Sequence, residues 1–292
     1  DYLVPSRLHP GKFYALAQSP QMYKQLLMIA GFERYYQIVK CFRDEDFRAD
    51  RQMEFTQIDV EMSFVDEEDV YSLVEGMIHK VMKEVKGVEV KLPFPRLSYE
   101  EAVNRFGTDK PDTRFGLELV NLNSCFADTD FWIFRAVLDE GGVIKGINAK
   151  GAAEKYSRKE IDRLTEEAKK FKVKGLSWLK YENDNFSGSL AKFVTPEIGD
   201  ALRARLGLEN GDLVLIAADK PEHANWALGL VRNILGRELR LIDYSRYDYL
   251  WVNNWPSFEY DEEAGRYNAA HHPFTSPRDE DIDKMLTAPE EC

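Results

Sequence analysis

Apolar and polar positions change their period several times along the chain. In residues 16–32, "LAQSPQMYKQLLMIAGF", Met22, Leu26, Leu27 and Ala30 recur at helical spacing. Ser19 suits an N-cap, Pro20 the first helical position and Gly31 a stop, so the stretch predicts a short punctuated helix. Residues 35–43 and 54–64 alternate instead. In the second run Thr56, Ile58, Val60, Met62 and Phe64 share one mostly apolar face. Phe55, Gln57, Asp59, Glu61 and Ser63 share the other, and the apolar face is expected to meet a core. Helical period returns over residues 69–87, with Val70, Leu73, Val74, Met77, Val81 and Val85 on one side.

Near residue 110 the pattern changes. "FGTDKPDTRFG" is a turn-rich connector. Residues 131–137 and 142–151 then read as short strands. Ser157 and Glu160 form a capping box for a helix whose stripe is Ile161, Leu164, Ala168 and Phe171. Strands over 176–182 and 212–219 and a helix over 225–235 complete a self-contained block of ordinary domain size. From Tyr249 the sequence "YLWVNNWPSFEY" predicts another strand, followed by an acidic loop. The fold class predicted is α+β. A first module (1–112) is interrupted by an inserted α+β domain (113–246) and resumes at 247–292.

The composition narrows the function classes. Apolar residues make up 44% of the chain, enough for a buried core. No apolar run approaches the ~20 residues that cross a bilayer. A net charge of −12 argues against a generic nucleic-acid coat, but not against a local basic surface on an acidic enzyme. Cys41, Cys125 and Cys292 give neither a disulfide framework nor zinc spacing, which points to a reducing compartment. The chain starts at Asp1 and stops just after "KMLTAPEE", and both ends read as cuts through a longer protein. His9, His79 and His223 are isolated, with His79 expected on a helix surface, and the five tryptophans are expected in cores. The acidic run 278–283 reads as a solvated helix start.

The densest chemistry lies between the two early strands. "KCFRDEDFRADRQMEFTQID", residues 40–59, crowds charges into a tight connection flanked by strand sequence. If the strands pair antiparallel, Arg43 ends one of them, and Phe55, Gln57 and Asp59 project from the polar face of the other. A guanidinium can hold a phosphate through paired hydrogen bonds, an aromatic ring can stack on a base, and a carboxylate can hold an ammonium. Gln21 and Lys24 are three apart and share a helix face. Arg48 and Arg51 give the loop a means of touching a polyanion.

"FRDEDFRADRQMEFTQID" resembles motif 2 of the class II aminoacyl-tRNA synthetases, in the form of the bacterial-type aspartyl enzymes. "QSPQMYKQLL" and "HHPFTSP" resemble two further signatures of that family, in the same order. "GINAKG", "KGLSWLK" and "SLAKFV" resemble the domain that those enzymes insert into a catalytic antiparallel sheet flanked by helices. The resemblance implies aspartate–tRNA ligase chemistry in the cytoplasm. Arg43 would be the catalytic residue, binding the ATP α-phosphate and the substrate carboxylate. Asp44, Glu45 and Gln52 would contact ATP, and Phe55 would stack on adenine. Ser19, Gln21, Lys24, Gln57, Asp59, His271 and His272 would hold L-aspartate, with Lys24 matched to its side-chain carboxylate. Glu45, Arg48 and Arg51 would meet the tRNA acceptor end. The implied partners are ATP, Mg2+, L-aspartate, tRNA(Asp), with tRNA(Asn) left open, and a second copy of the chain. No resident metal site is expected.

Departures accompany the likeness. Motif 1, motif 3 and the anticodon-binding barrel are absent, so the chain alone is expected to hold about half of an active site and to be inactive. Met53 stands where the family has Pro, and Asn254 and Trp255 where it has Asp and Phe. Two other readings compete: a synthetase paralogue with another acceptor, and a tRNA-binding or scaffold module without catalysis. The enzyme reading requires Gln21, Lys24, Arg43, Gln57 and Asp59 to share one neighbourhood.

Overall fold

A computed structural model describes residues 1–47, 51–261, 263–272 and 275–292. The chain forms two compact units, Asp1–Pro93 and Phe94–Cys292.

In the first unit, β1 (Leu3–Pro5) pairs antiparallel with β2 (Phe13–Ala15). Helix α1 (Gln21–Ile29) follows, and then β3 (Arg34–Phe42) and β4 (Glu54–Met62) pair antiparallel with Ile38 opposite Ile58. Helix α2 (Glu67–Val81) runs on through a wider turn, Met82–Lys86, to Gly87 at φ 67°. Its cap lies ahead of the predicted start: the Asp66 carboxylate accepts from the backbone N–H groups of Glu68 and Asp69, and Asp69 returns the favour to Asp66. At α1, Pro20 takes the cap position and Ser19 makes no capping bond. Gly31, at φ 91°, ends the helix as expected.

The faces of this unit are the reverse of the expectation. Phe55, Gln57, Asp59 and Glu61 form the half-buried side of β4, because α1 reaches across it through Lys24. The apolar side is exposed, with Tyr36 77%, Ile38 69% and Ile58 58% accessible. On α2, Val70, Leu73, Met77, Val81 and Val85 are exposed while Glu75 is buried. Met22 and Leu26 of α1 are exposed too. Paired polar groups therefore account for much of the burial at this site, and the apolar stripes have no cover among the described residues.

The second unit opens with β5 (Arg96–Ser98) and α3 (Tyr99–Phe106), which Ser98 caps. The chain continues through β6 (Val120–Asn121), α4 (Trp132–Asp139), β7 (Val143–Ala149), α5 (Arg158–Lys169), β8 (Ser177–Glu182) and β9 (Asn185–Gly188). Then come α6 (Pro196–Leu206), β10 (Asp212–Asp219) and α7 (Pro221–Glu238). The sheet order is β6-β7-β10-β8-β9, all antiparallel. Alternation along β10 sends Leu213, Leu215 and Ala217 into a core with α5 and α7, and Val214 and Ile216 into another with α4 and α6. The chain closes with β11 (Trp251–Asn253), parallel to β5, and a hairpin of β12 (Phe258–Asp261) and β13 (Arg266–Ala269).

Four expectations change here. Trp132–Asp139 are helical with Phe131 at the cap, because Phe131, Phe134 and Leu138 recur at three and four and pack on one core; a short apolar run does not reveal its period on its face. Trp132, on the other side of that helix, is 72% exposed rather than core. The strand predicted from Tyr249 breaks in two at Asn254, which sits at φ 54° in the left-handed region that asparagine tolerates. The run 278–283 is not simply solvated. Asp281 is buried, 2.9 Å from Arg278 Nη2 and 3.0 Å from Lys284 Nζ.

The segment 106–116 is fastened to α7. Gly107, at φ 65°, and Gly229 lie so close that a Cβ on Gly229 would stand 2.0 Å from the Gly107 carbonyl oxygen. Fully buried Arg232 donates from Nη2 to the carbonyls of Asp112, Phe115 and Gly116 at 2.8–2.9 Å. Its guanidinium lies 4.0 Å from the Phe115 ring centroid.

Candidate active site

The strand pair carries the site. Directly opposed residues of an antiparallel pair share a face, so Gln37, Val39 and Cys41 stand beside Asp59, Gln57 and Phe55. Helix α1 is delivered to this face by backbone bonds. Phe42 N–H donates to the Ala17 carbonyl at 2.9 Å, and Arg43 Nε donates to the Gln18 carbonyl at 3.3 Å. These bonds tie the segment just before α1 to the end of β3.

Lys24 is the hinge of the arrangement. Its ammonium lies 2.9 Å from Asp59 Oδ1 and 3.3 Å from Glu61 Oε2, with its side chain 12% accessible. Burial works to lower its pKa, but hydrogen bonds to Asp59 and Glu61 and their charges outweigh burial, so the pKa is raised. Asp59 Oδ2 is buried with no partner among the described residues. Next along the face, the Gln57 side-chain Oε1 accepts from the Cys41 thiol at 3.3 Å. The Arg43 guanidinium lies 5.1 Å from the Phe55 ring centroid. The face thus offers an ammonium, a carboxylate with a free oxygen, an amide and a guanidinium on an aromatic ring.

The sequence-predicted residues distribute as follows. Arg43 lies over Phe55 at one end of the β3–β4 pair, Lys24 meets Asp59 further along the same β4 face, and Gln57 stands between them. Ser19 and Gln21 are exposed. Asp44 and Gln52 are exposed at the rim of the pair. Glu45 is half-buried and pairs with Arg51 at 3.7 Å, so two of the expected acceptor contacts meet each other. Arg48 lies outside the described residues. His271 and His272 belong to the other compact unit. There His271 packs edge-on to Trp255, 5.8 Å between centroids, and its Nε2 is buried with no partner among the described residues. Trp255 donates from Nε1 to the Val252 carbonyl at 2.8 Å, a bond that a phenylalanine lacks.

Sequence reasoning missed Glu61 as a second partner of Lys24. The signal was available, since Glu61 stands two residues beyond Asp59 on the same strand face. Among the described residues no group of three or more His, Cys, Asp or Glu could hold a metal ion.

Residues 1–292 match the family described as tRNA synthetases class II (D, K and N). The chain is 57% identical over 289 residues to the aspartate–tRNA ligase of Enterococcus faecalis, covering 99% of this chain and 49% of that protein. It is 57% identical to the aspartate–tRNA(Asp/Asn) ligase of Anoxybacillus flavithermus, with the same coverage. It is 56% identical over 292 residues to the aspartate–tRNA ligase of Staphylococcus aureus, covering 100% of this chain and 50% of that protein. The chain therefore spans about half the length of the curated relatives it matches. It belongs to the class II tRNA synthetases of the D, K and N family.

Proposed function

We propose that the protein containing this chain is an aspartate–tRNA ligase, and that these residues form the aspartate-binding and part of the ATP-binding side of its active site. The observation that carries the reading is the Lys24 ammonium held by Asp59 and Glu61, on the strand face that carries Gln57 and, further along, Phe55 under Arg43. An aspartate side-chain carboxylate would take its place against Lys24 as an ion pair, and the free Asp59 oxygen would accept from the substrate's α-ammonium. Ser19, Gln21 and Gln57 would line the same pocket, and His271 and His272 remain proposed as aspartate contacts.

Two steps follow. An oxygen of the aspartate α-carboxylate attacks the α-phosphorus of ATP, and the bond from that phosphorus to the bridging oxygen breaks. Aspartyl-adenylate forms and pyrophosphate leaves. Arg43 offsets the negative charge that gathers on the α-phosphoryl oxygens. A ribose hydroxyl at the tRNA 3′ end then attacks the adenylate carbonyl, and AMP departs. The chain's own contribution is positioning and electrostatics. Asp44, Glu45 and Gln52 would contact the nucleotide, Phe55 would stack on the adenine, and Glu45 and Arg51 would meet the tRNA end, a role also proposed for Arg48, which lies outside the described residues. Mg2+ would accompany ATP, but the described residues make no ligand cluster for it and no step is assigned to it.

The acceptor is tRNA(Asp). The Asp/Asn specificity in some relatives' names supports tRNA(Asn) as a second acceptor to be tested. The full protein would act as a homodimer. The first module, insertion and return at 1–112, 113–246 and 247–292 remain the proposed domain plan. The test is ATP–pyrophosphate exchange by the full-length protein with L-aspartate, L-asparagine and L-lysine in parallel. Exchange with aspartate alone supports the reading, and exchange driven by lysine or asparagine overturns it.

A further inference from the structure

Cys41 takes no part in the steps above, yet its thiol is built into the face that carries them. On β3 it stands directly opposite Phe55 of β4 and diagonal to Gln57. The residue is fully buried, 0% accessible. Water therefore cannot take the thiol hydrogen, and two protein acceptors lie in reach. Gln57 Oε1 is 3.3 Å from Sγ, and the Val39 carbonyl oxygen is 3.9 Å from it. The glutamine oxygen is the nearer partner.

A glutamine amide has two ends of opposite character, an oxygen that accepts and a nitrogen that donates twice. A half-turn of the amide exchanges them. Against Cys41 that exchange is unfavourable. Turned over, the amide would aim its N–H hydrogens at a sulfur, which accepts only weakly, and the thiol would lose its nearer acceptor. The thiol thus sets which end of Gln57 faces inward. With Oε1 held at Cys41, Nε2 is the end left over. It has no acceptor among the described residues, and unlike Asp59 Oδ2 it is not sealed from solvent.

The neighbours of that nitrogen say what it would meet. Gln57 stands between Phe55, under the Arg43 guanidinium, and Asp59, which holds the Lys24 ammonium. Two free N–H groups in that row complement a ligand whose oxygens carry negative charge, and such hydrogen bonds are stronger than neutral ones. An inverted amide would set its oxygen against the same charge.

We infer that Cys41 is a positioning residue for the substrate. Its thiol holds the Gln57 amide so that Nε2 is presented to a carboxylate oxygen of L-aspartate. This rests on the aspartate reading of the β3–β4 face and adds to it a residue that does not itself touch the ligand.

Pyrophosphate exchange by the full-length protein, with KM for L-aspartate and KM for ATP measured separately, tests the role. Cys41→Val removes the donor and keeps the site filled. It should raise the KM for L-aspartate by about 5-fold, the size of one neutral hydrogen bond, and leave the KM for ATP unchanged. Cys41→Ser should return the aspartate KM toward the wild-type value, because a hydroxyl donates to the same oxygen. Gln57→Leu should raise the aspartate KM as well. Adding Cys41→Val to it should raise it no further, since the thiol acts only through the amide. A thiol that merely filled space would show no rescue by serine and no such coupling. Cys41→Ala repeats the comparison without crowding, should valine prevent folding. An aspartate KM unchanged in the variants lacking the donor, a serine variant no better than valine, or additive effects in the double variant would overturn the role of Cys41. Wild-type protein without aspartate-driven exchange would overturn the aspartate reading itself, and this inference with it.

Discussion

Lys24 Nζ lies 2.9 Å from Asp59 Oδ1, across 35 residues of sequence and between two different elements, α1 and β4. That contact turns a polar strand face into the inner face of the site. It also makes the ammonium's charge durable. Because its folded pKa is raised above the ordinary 10.5, the stabilisation from this cation is fully present below that value and is lost as pH rises through the raised one. Chemical denaturation of wild type and Lys24→Met should therefore differ by a constant amount from about pH 7 to about pH 10, the gap closing only above the ordinary lysine range.

Arg43 is held by orientation as well as charge. Its Nε bond to the Gln18 carbonyl and its position over Phe55 use the planar guanidinium, which lysine cannot reproduce. Arg43→Lys in the full-length protein should lower the kcat of pyrophosphate exchange by about 10²-fold, in the range seen when one transition-state donor is removed. Its melting temperature should hold. Unchanged kcat would remove Arg43 from the chemistry.

The contact of Gly107 with Gly229 sets the spacing of α3 and α7. Gly229→Ala places a methyl group against backbone, which cannot swing aside as a side chain can. It should destabilise the second unit by about 3 kcal/mol or more, read by urea denaturation. Gly87→Ala, where a Cβ meets nothing within 4 Å, should cost less because only the left-handed backbone is strained.

Lys145 gives an opposite pH signature to Lys24. Burial lowers its pKa from 10.5 to about 8, so between those values the unfolded chain binds the extra proton and stability rises with pH. One group contributes at most about 1.4 kcal/mol per pH unit. Lys145→Met should remove that rise from denaturation curves taken between about pH 8 and about pH 10.

The shared face of Phe55, Gln57 and Asp59 was legible in the sequence, because alternation along a strand sets it. Alternation alone put Phe55, Gln57 and Asp59 on one face, and Gln21 and Lys24 three apart. Burial was not legible. The rule that apolar faces turn inward failed on β4 and α2, where Ile58 and Leu73 are exposed and Glu75 is buried. Residues 131–137 were misassigned because an apolar run too short to show its period fits strand and helix equally. Alternation puts Glu61 on the Asp59 face, but strand spacing does not show that Lys24 reaches it from another element.

The selectivity of Lys24 is the direct measurement of the central claim. In the full-length protein, kcat/KM for L-aspartate divided by that for L-asparagine, in pyrophosphate exchange, should fall by about 10²-fold in Lys24→Met, since the aspartate carboxylate would lose its buried counter-ion. A ratio equal to the wild type's would contradict the assignment of Lys24 to the substrate side chain and, with it, the reading of the β3–β4 face as the aspartate pocket.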